Sequence, residues 1–325
     1  MGSDMLPPFG WAPAVTRWQF APVVTALVVV LAGLYLWGAW RVARRHPARP
    51  WPLWRTGMFL AGLLVIVIAT QSGVGSYDDV LFWDHMIQHL LLIMVAPPLL
   101  IVGQPVTLLM HASRNPLHTW VKRLLRSRVI LAITWPPVGI AAYTATIVGT
   151  HLTSFMNLAM SNENVHNAEH ALYLVVGYLY FLPLIGREPV RWRVSYPVRL
   201  FLLFLAMPVD AYTGVVLGST GTVPFTMDHR SWGPSPLDDV HVGGAVMWVG
   251  GAAIMFVMIM FVFLAWSRDT RASSRFGWLE SARRVNIAQM VNAPNVREDS
   301  GDVDDEDHLA AYNEYLARLN RPLKP

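Results

Sequence analysis

The stretch "DDVLFWDHMIQHLLLIMVAPPLL", residues 78–100, places three acids and two histidines at the mouth of a long apolar run. His85 and His89 are four residues apart. On an α-helix such positions lie one above the other, about 6 Å apart, so two imidazoles reach one ion. Ionisable side chains at membrane depth are costly unless they pair or line a wet cavity, which makes them functional candidates. The solvent around this segment therefore decides both the fold and the site.

Composition identifies that solvent. The chain has 325 residues, of which 54% are hydrophobic and 14% charged, whereas soluble chains carry about 25% charged residues. The apolar residues gather in seven blocks, at about 20–40, 53–73, 83–110, 129–150, 166–186, 198–218 and 239–266. Each approaches the roughly 20 residues that cross a hydrocarbon core. The expected fold is all-α, a polytopic bundle of seven transmembrane helices in the lipid bilayer.

The loops set its direction. Arg41, Arg44, Arg45, Arg49 and Arg55 fill the first loop without an acid; Arg114, Lys122, Arg123, Arg126 and Arg128 fill the third. Arg187, Arg191, Arg193 and Arg199 fill the fifth. The alternate loops are acidic or neutral, with Asp78, Asp79 and Asp84, then Glu163, then Asp228, Asp238 and Asp239 against Arg230. The positive-inside rule puts the N-terminus outside and the C-terminus in the cytoplasm. The net charge of +4 thus reports topology, and nucleic acid is not expected as a partner.

Three regions follow: an exoplasmic segment 1–19, the helical domain 20–266, and a cytoplasmic tail 267–325. The stretch before Phe20 has no basic n-region and no A-x-A-like site, so a cleaved signal peptide is not expected. The tail holds an acidic run from Glu298 to Asp307, which reads as disordered. Leu309, Tyr312, Leu316 and Leu319 then form one amphipathic side, and 276–291 has the pattern of a segment lying on the inner leaflet.

With this orientation, blocks three, five and seven all begin outside with histidine. "NVHNAEHAL" carries His166, Glu169 and His170, and "DDVHVGGAVMW" carries Asp238, Asp239, His241 and Met247. One pair at a helix end is ordinarily a hydrated interfacial feature; two pairs plus His241 at one level point to metal binding. The chain has no cysteine, so thiolate sites and disulfides are excluded. Imidazole suits copper, zinc, iron and nickel, and thioether adds preference for Cu(I). Met86 and Met247 lie at the right level, although most of the 15 methionines are packing residues.

Glu169, Asp84 and Asp239 are placed to orient imidazoles. Asp210, after Pro208 in "LAMPVDAYTGVVLG", is an acid deep in an apolar block, a ligand or proton relay by one reading and a hydrogen-bond partner of Tyr212 or a neighbouring helix by the other. Pro97, Pro98, Gly103 and Pro105 are expected to bend block three, leaving neighbours to satisfy the freed carbonyls.

"HMIQHLLLIMVAPPLLIVGQP", "GYLYFLPLIGREP" and "DVHVGGAVMW", in this order, resemble the CtaG-type, caa3-associated cytochrome c oxidase assembly factors over about residues 50–266. The resemblance implies a multi-pass protein of the bacterial plasma membrane that helps make haem–copper oxidase, with copper as its metal. Its partners would be oxidase subunits or another copper chaperone. Family residues map onto His85, Met86, Gln88 and His89, onto His170, and onto Asp239, Gly244 and Met247; Val240 and His241 stand where many relatives carry amides. The leading reading is a non-catalytic assembly factor holding copper at an outer-face His/Met site, with His85, His89, His166 and His170 at its centre. A haem-binding electron carrier and a copper transporter are the alternatives; few polar residues between Asp210 and the inner face speak against transport.

Overall fold

The computed structural model of the chain describes residues 6–186, 188–192, 194–225 and 230–269. The tail features at 276–291, 298–307 and 309–319 lie outside the described residues, as do Arg187, Arg193, Asp228 and His229. Among the described residues every regular element is a helix. We label the long ones α1 (Pro22–Arg45), α2 (Leu53–Tyr77) and α3 (Phe82–Ala112). α4 (Pro136–His151) follows, then α5 (Glu163–Ile185), α6 (Tyr196–Gly218) and α7 (Pro236–Asp269). Val262 closes the unit that the bundle forms.

All of these but α4, six helices among the described residues, are long and apolar enough to cross a membrane. The fourth block differs from its expected continuous span. It is divided into Arg128–Ile133 and the 16-residue α4. Trp135 is extended, with φ −68° and ψ 126°, because the residue before a proline is driven out of the α region; Pro136 then starts α4.

α3 is the hub. In its most apolar window 67% is buried, against 11% for α1, so α3 is surrounded by protein and α1 stands at the periphery. α2, α5 and α7 pack on α3, α4 and α6 complete the ring between α5 and α7, and α1 rests on α2 and on the Pro105–Ala112 end of α3. α1 leaves Val23, Leu27, Val30 and Leu34 exposed, the expected face of a helix solvated by hydrocarbon.

The prolines of α3 shape it as its sequence demands. Residues Leu91–Val95 form a widened π-helical turn, after which Pro97 and Pro98 enter the next segment. Neither proline has an amide hydrogen, so the Ile93 carbonyl loses its in-helix donors. α5 covers it at Gly177, where a Cβ would collide with the Ile93 carbonyl. The chain breaks again at Gln104, whose φ is 54°. Tyr35 Oη donates to the Gly103 carbonyl at 2.7 Å. The Glu188 carboxylate accepts from the Val106 and Thr107 amides and the Thr107 hydroxyl at 3.0, 2.9 and 2.6 Å. An acid thus closes the exposed amides of Pro105–Ala112, where the helix dipole favours negative charge. Burial pushes the Glu188 carboxyl above its ordinary pKa, and these hydrogen bonds pull it back.

α6 and α7 meet through small residues. Gly214-x-x-x-Gly218 faces Gly244 so closely that a Cβ at Gly214 would stand 2.5 Å from the Gly244 carbonyl oxygen, the small-residue contact by which membrane helices approach. The neighbouring Gly243 lies against the Phe82 ring of α3, which sets the head of α7 beside the head of α3.

Candidate metal centre

The first turns of α3 and α5, the end of α4 and the turn between α2 and α3 converge at one end of the bundle. The arginine-bearing loop after α1 meets the other end of α3, where Arg45 donates to the Ala112 carbonyl at 2.9 Å. Residues 7–19 and the segment before α7 cover the histidine end. Tyr77 Oη donates to the Pro7 carbonyl at 2.9 Å, and Phe9 packs edge-on against Tyr77 and Trp83. Arg230 donates to the Val80 carbonyl.

Helical spacing supplies the local geometry. The rings of His85 and His89 on α3 are 4.1 Å apart, and those of His166 and His170 on α5 are 4.4 Å apart. His85 stacks on His166 across the helix interface at 5.1 Å. Four predicted histidines therefore share one pocket. Two sets of nitrogen and oxygen donors have ligand atoms within 4.8 Å of one another: His85, His89 and Glu169, and beside them Asp78, His166 and His170.

The first set is almost wholly buried, with His85, His89 and Glu169 at 0%, 3% and 1% exposure. Both nitrogens of His85, Nε2 of His89 and both oxygens of Glu169 have no hydrogen-bond partner among the described residues. An orphaned buried polar group costs about 1–3 kcal/mol, and here the orphans aim at each other. His89 Nε2 and Glu169 Oε1 stand 3.7 Å apart. That is too long for a hydrogen bond, but donors each about 2.0–2.2 Å from one metal are separated by roughly 3–4 Å. The donor set fits an imidazole-preferring divalent metal.

Hydrogen bonding also selects the nitrogen that His89 offers. His151 Nδ1 lies 2.9 Å from the Ile147 carbonyl, which only accepts, so Nδ1 carries the hydrogen. His151 Nε2 is then an acceptor and takes the His89 Nδ1 hydrogen at 3.3 Å. His89 Nε2 is left as a lone pair facing Glu169. Thr150 and Tyr173 brace this arrangement: Thr150 Oγ1 donates to the Thr146 carbonyl at 2.8 Å and accepts from Tyr173 Oη at 2.6 Å. The Tyr173 ring stacks on His89 at 4.0 Å.

The second set is tied by Gln88. Its Nε2 donates to Asp78 Oδ2 at 2.5 Å and to the Ala69 carbonyl at 2.9 Å, while Oε1 accepts from His170 Nε2 at 2.7 Å. His166 lies 3.1 Å from Asp79 through Nδ1 and 3.8 Å from Asp78 through Nε2. Burial pushes the Asp78 carboxyl up to about 7. Asp79, with a side chain 67% exposed, is held below its ordinary pKa, chiefly by its hydrogen bond with His166.

Comparison with known proteins accords with these motifs. Residues 33–269 match the family model described as cytochrome c oxidase caa3 assembly factor. The chain belongs to this family. Uncharacterized proteins of Mycobacterium bovis and Mycobacterium tuberculosis are each 30% identical to it over 99% of the chain and 47% of their own length. An uncharacterized protein of Mycobacterium leprae is 27% identical over 94% of the chain and 45% of its own length. The chain thus spans about half the length of the curated relatives it matches. No solved structure matches it.

The remaining residues that the sequence singled out lie outside the two donor sets. The Asp239 carboxylate accepts from the Phe82 and Trp83 amides, each at 3.1 Å, and pairs with Arg230 at 2.9 Å. It caps α3. His241 Nε2 meets the Thr220 carbonyl at 2.9 Å. Asp210 takes the Tyr143 hydroxyl at 3.0 and 2.9 Å between α6 and α4, a neighbouring helix as one reading expected, while Tyr212 is exposed. Met86 and Met247 are buried, and Met86 turns toward Gly243 of α7. Asp84 is buried and both its oxygens lack a hydrogen-bond partner among the described residues.

Sequence reasoning missed His151 and Asp78 as members of the cluster. His151 ends α4 at the level where α3 and α5 begin, and that shared level was its only signal.

Proposed function

We propose that this assembly factor serves haem–copper cytochrome c oxidase by holding copper as cargo in the histidine pocket and passing it to an oxidase subunit or to another copper chaperone. One observation carries the reading: buried imidazoles of α3 and α5 and the Glu169 carboxylate face one another with their donor atoms orphaned. The protein acts without catalysis, as a seven-span protein of the bacterial plasma membrane with its N-terminus outside and its C-terminus in the cytoplasm. The arginine loops support that direction, and it puts the pocket on the exoplasmic side. His85, His89, His166 and His170 form the holding site, and stepwise exchange among imidazoles allows release. The face-to-face stacking of His85 on His166 leaves no slot for a porphyrin between these rings, which favours copper over haem.

The test is metal analysis of the purified protein beside its His85→Ala/His89→Ala variant, with oxidase activity followed in cells. Copper bound by the native protein and lost from the variant, together with reduced oxidase activity, is the expected outcome. Equal copper content in the two proteins overturns the site.

A further inference from the structure

We propose that the pocket is two metal subsites rather than one, an inner subsite of His85, His89 and Glu169 and an outer subsite of Asp78, His166 and His170. This rests on the metal-binding reading above and adds to it the number of ions and their unequal accessibility.

Donor number is the first argument. Each set brings two imidazoles and one carboxylate with ligand atoms within 4.8 Å. Zinc in tetrahedral sites takes four ligands, and catalytic zinc commonly takes three from protein. Six donors are more than one such ion uses, whereas three apiece leave each ion an open position for exchange. The sets are also held by different parts of the fold. The inner one joins α3 to α5, while the outer one joins α5 to the turn after α2. The stacked rings of His85 and His166, 5.1 Å apart, are the seam between them.

Burial and hydrogen bonding make the subsites unequal. The inner donors are at most 3% exposed and largely orphaned, so an ion gains ligands there without displacing hydrogen bonds. The outer subsite reaches the surface through Asp79 and the half-buried His170. Its donors are engaged by Gln88, which holds Asp78 and His170 at once. A metal entering the outer subsite competes with those bonds, so the outer subsite binds more weakly and exchanges faster.

The experiment uses the full chain in detergent, with Zn(II) as a redox-silent probe and Cu(II) in parallel, read by equilibrium dialysis with elemental analysis. The native protein binds two equivalents, of which an aqueous chelator removes one first. Glu169→Gln loses the tighter, slowly stripped class and keeps the other; His170→Gln loses the weaker class and keeps the tighter. Circular dichroism melts, with His241→Ala as a variant outside the pocket, confirm that each protein is folded. If either conservative variant unfolds, His85→Asn and His166→Asn replace it for the inner and outer subsites. A single equivalent lost alike in both arms overturns the two-subsite proposal and leaves a one-ion pocket standing. No binding of either metal by the native protein removes both readings.

Discussion

His151 Nε2 accepts the Nδ1 hydrogen of His89 at 3.3 Å, and this one contact decides which face of the His89 ring is offered to a metal. The order of hydrogen bonds runs from the Ile147 carbonyl through His151 to His89, and reversing it would leave His151 with no hydrogen for that carbonyl. Removing His151 frees the His89 ring to rotate and to change tautomer. Loss of such a supporting group typically costs about 10–100-fold in metal affinity. His151→Ala is therefore expected to weaken copper binding by about that factor without abolishing it, whereas His151→Gln, whose amide oxygen still accepts, loses less. Competition titration with a chromophoric chelator measures both; equal affinity in the native protein and His151→Ala would exclude the tautomer argument.

Gly177 is where α5 crosses the proline-freed carbonyl of Ile93, and its added Cβ would also stand 2.9 Å from the Pro97 ring. Gly177→Ala forces α3 and α5 apart and is expected to destabilise by about 1–3 kcal/mol, as overpacking of a close-packed contact does. Gly149 in α4 has nothing within 4 Å of the corresponding position. There the same change should be neutral or stabilise by about 0.5–1 kcal/mol through helix propensity. Parallel denaturant unfolding in detergent compares the two, and similar losses at both positions would refute the close-contact account.

The helices were legible from the chain because long apolar runs declare themselves by length, and six of the seven expected blocks are helices long and apolar enough to cross a membrane. The pairs His85/His89 and His166/His170 were visible for the same reason: spacing of four means one face. What periodicity does not encode is which faces of separate helices meet. Asp239, His241 and Asp210 carry the same chemical promise as Glu169, yet in the fold Asp239 meets the Phe82 and Trp83 amides, His241 the Thr220 carbonyl and Asp210 the Tyr143 hydroxyl. His151 and Asp78 belong to the cluster only because α4 ends, and the α2–α3 turn folds, beside the heads of α3 and α5. The break before Pro136 was written in the sequence, but its apolar flanks concealed it.

Glu188 predicts a pH dependence. Its folded-state pKa lies above the ordinary 4.5, with burial the largest cause. The folded chain therefore holds the proton more tightly than the unfolded chain, and the stability from this group is complete below about pH 4.5 and declines as pH rises through the raised value. Glu188→Gln removes that titration. The stability difference between native and Glu188→Gln proteins is expected to move in favour of the variant as pH rises from the ordinary glutamate value upward, then to level off. Unfolding midpoints across pH 4–8 (roughly the span in which carboxylate-linked stability changes) measure it. A constant difference throughout would show that the carboxyl is not raised.

Asp239 separates a structural acid from a metal ligand. It is fully buried, pairs with Arg230, and receives the Phe82 and Trp83 amides that open α3. Breaking a buried pair from one side leaves an uncompensated charge and costs about 3–5 kcal/mol. Asp239→Ala is expected to lose about that much, since Arg230 loses its only carboxylate partner among the described residues and two helix amides lose their acceptor. Arg230→Met added to Asp239→Ala should then cost less than Arg230→Met alone, because the guanidinium has already lost its carboxylate and keeps only the Val80, Trp232 and Pro234 carbonyls. Metal stoichiometry per folded molecule should stay at the native value in both variants, since neither residue reaches the histidines. A double-mutant cycle read by unfolding, with elemental analysis on the folded fraction, tests both halves; independent energies would dissolve the clamp, and loss of metal from folded Asp239→Ala would return Asp239 to the ligand set.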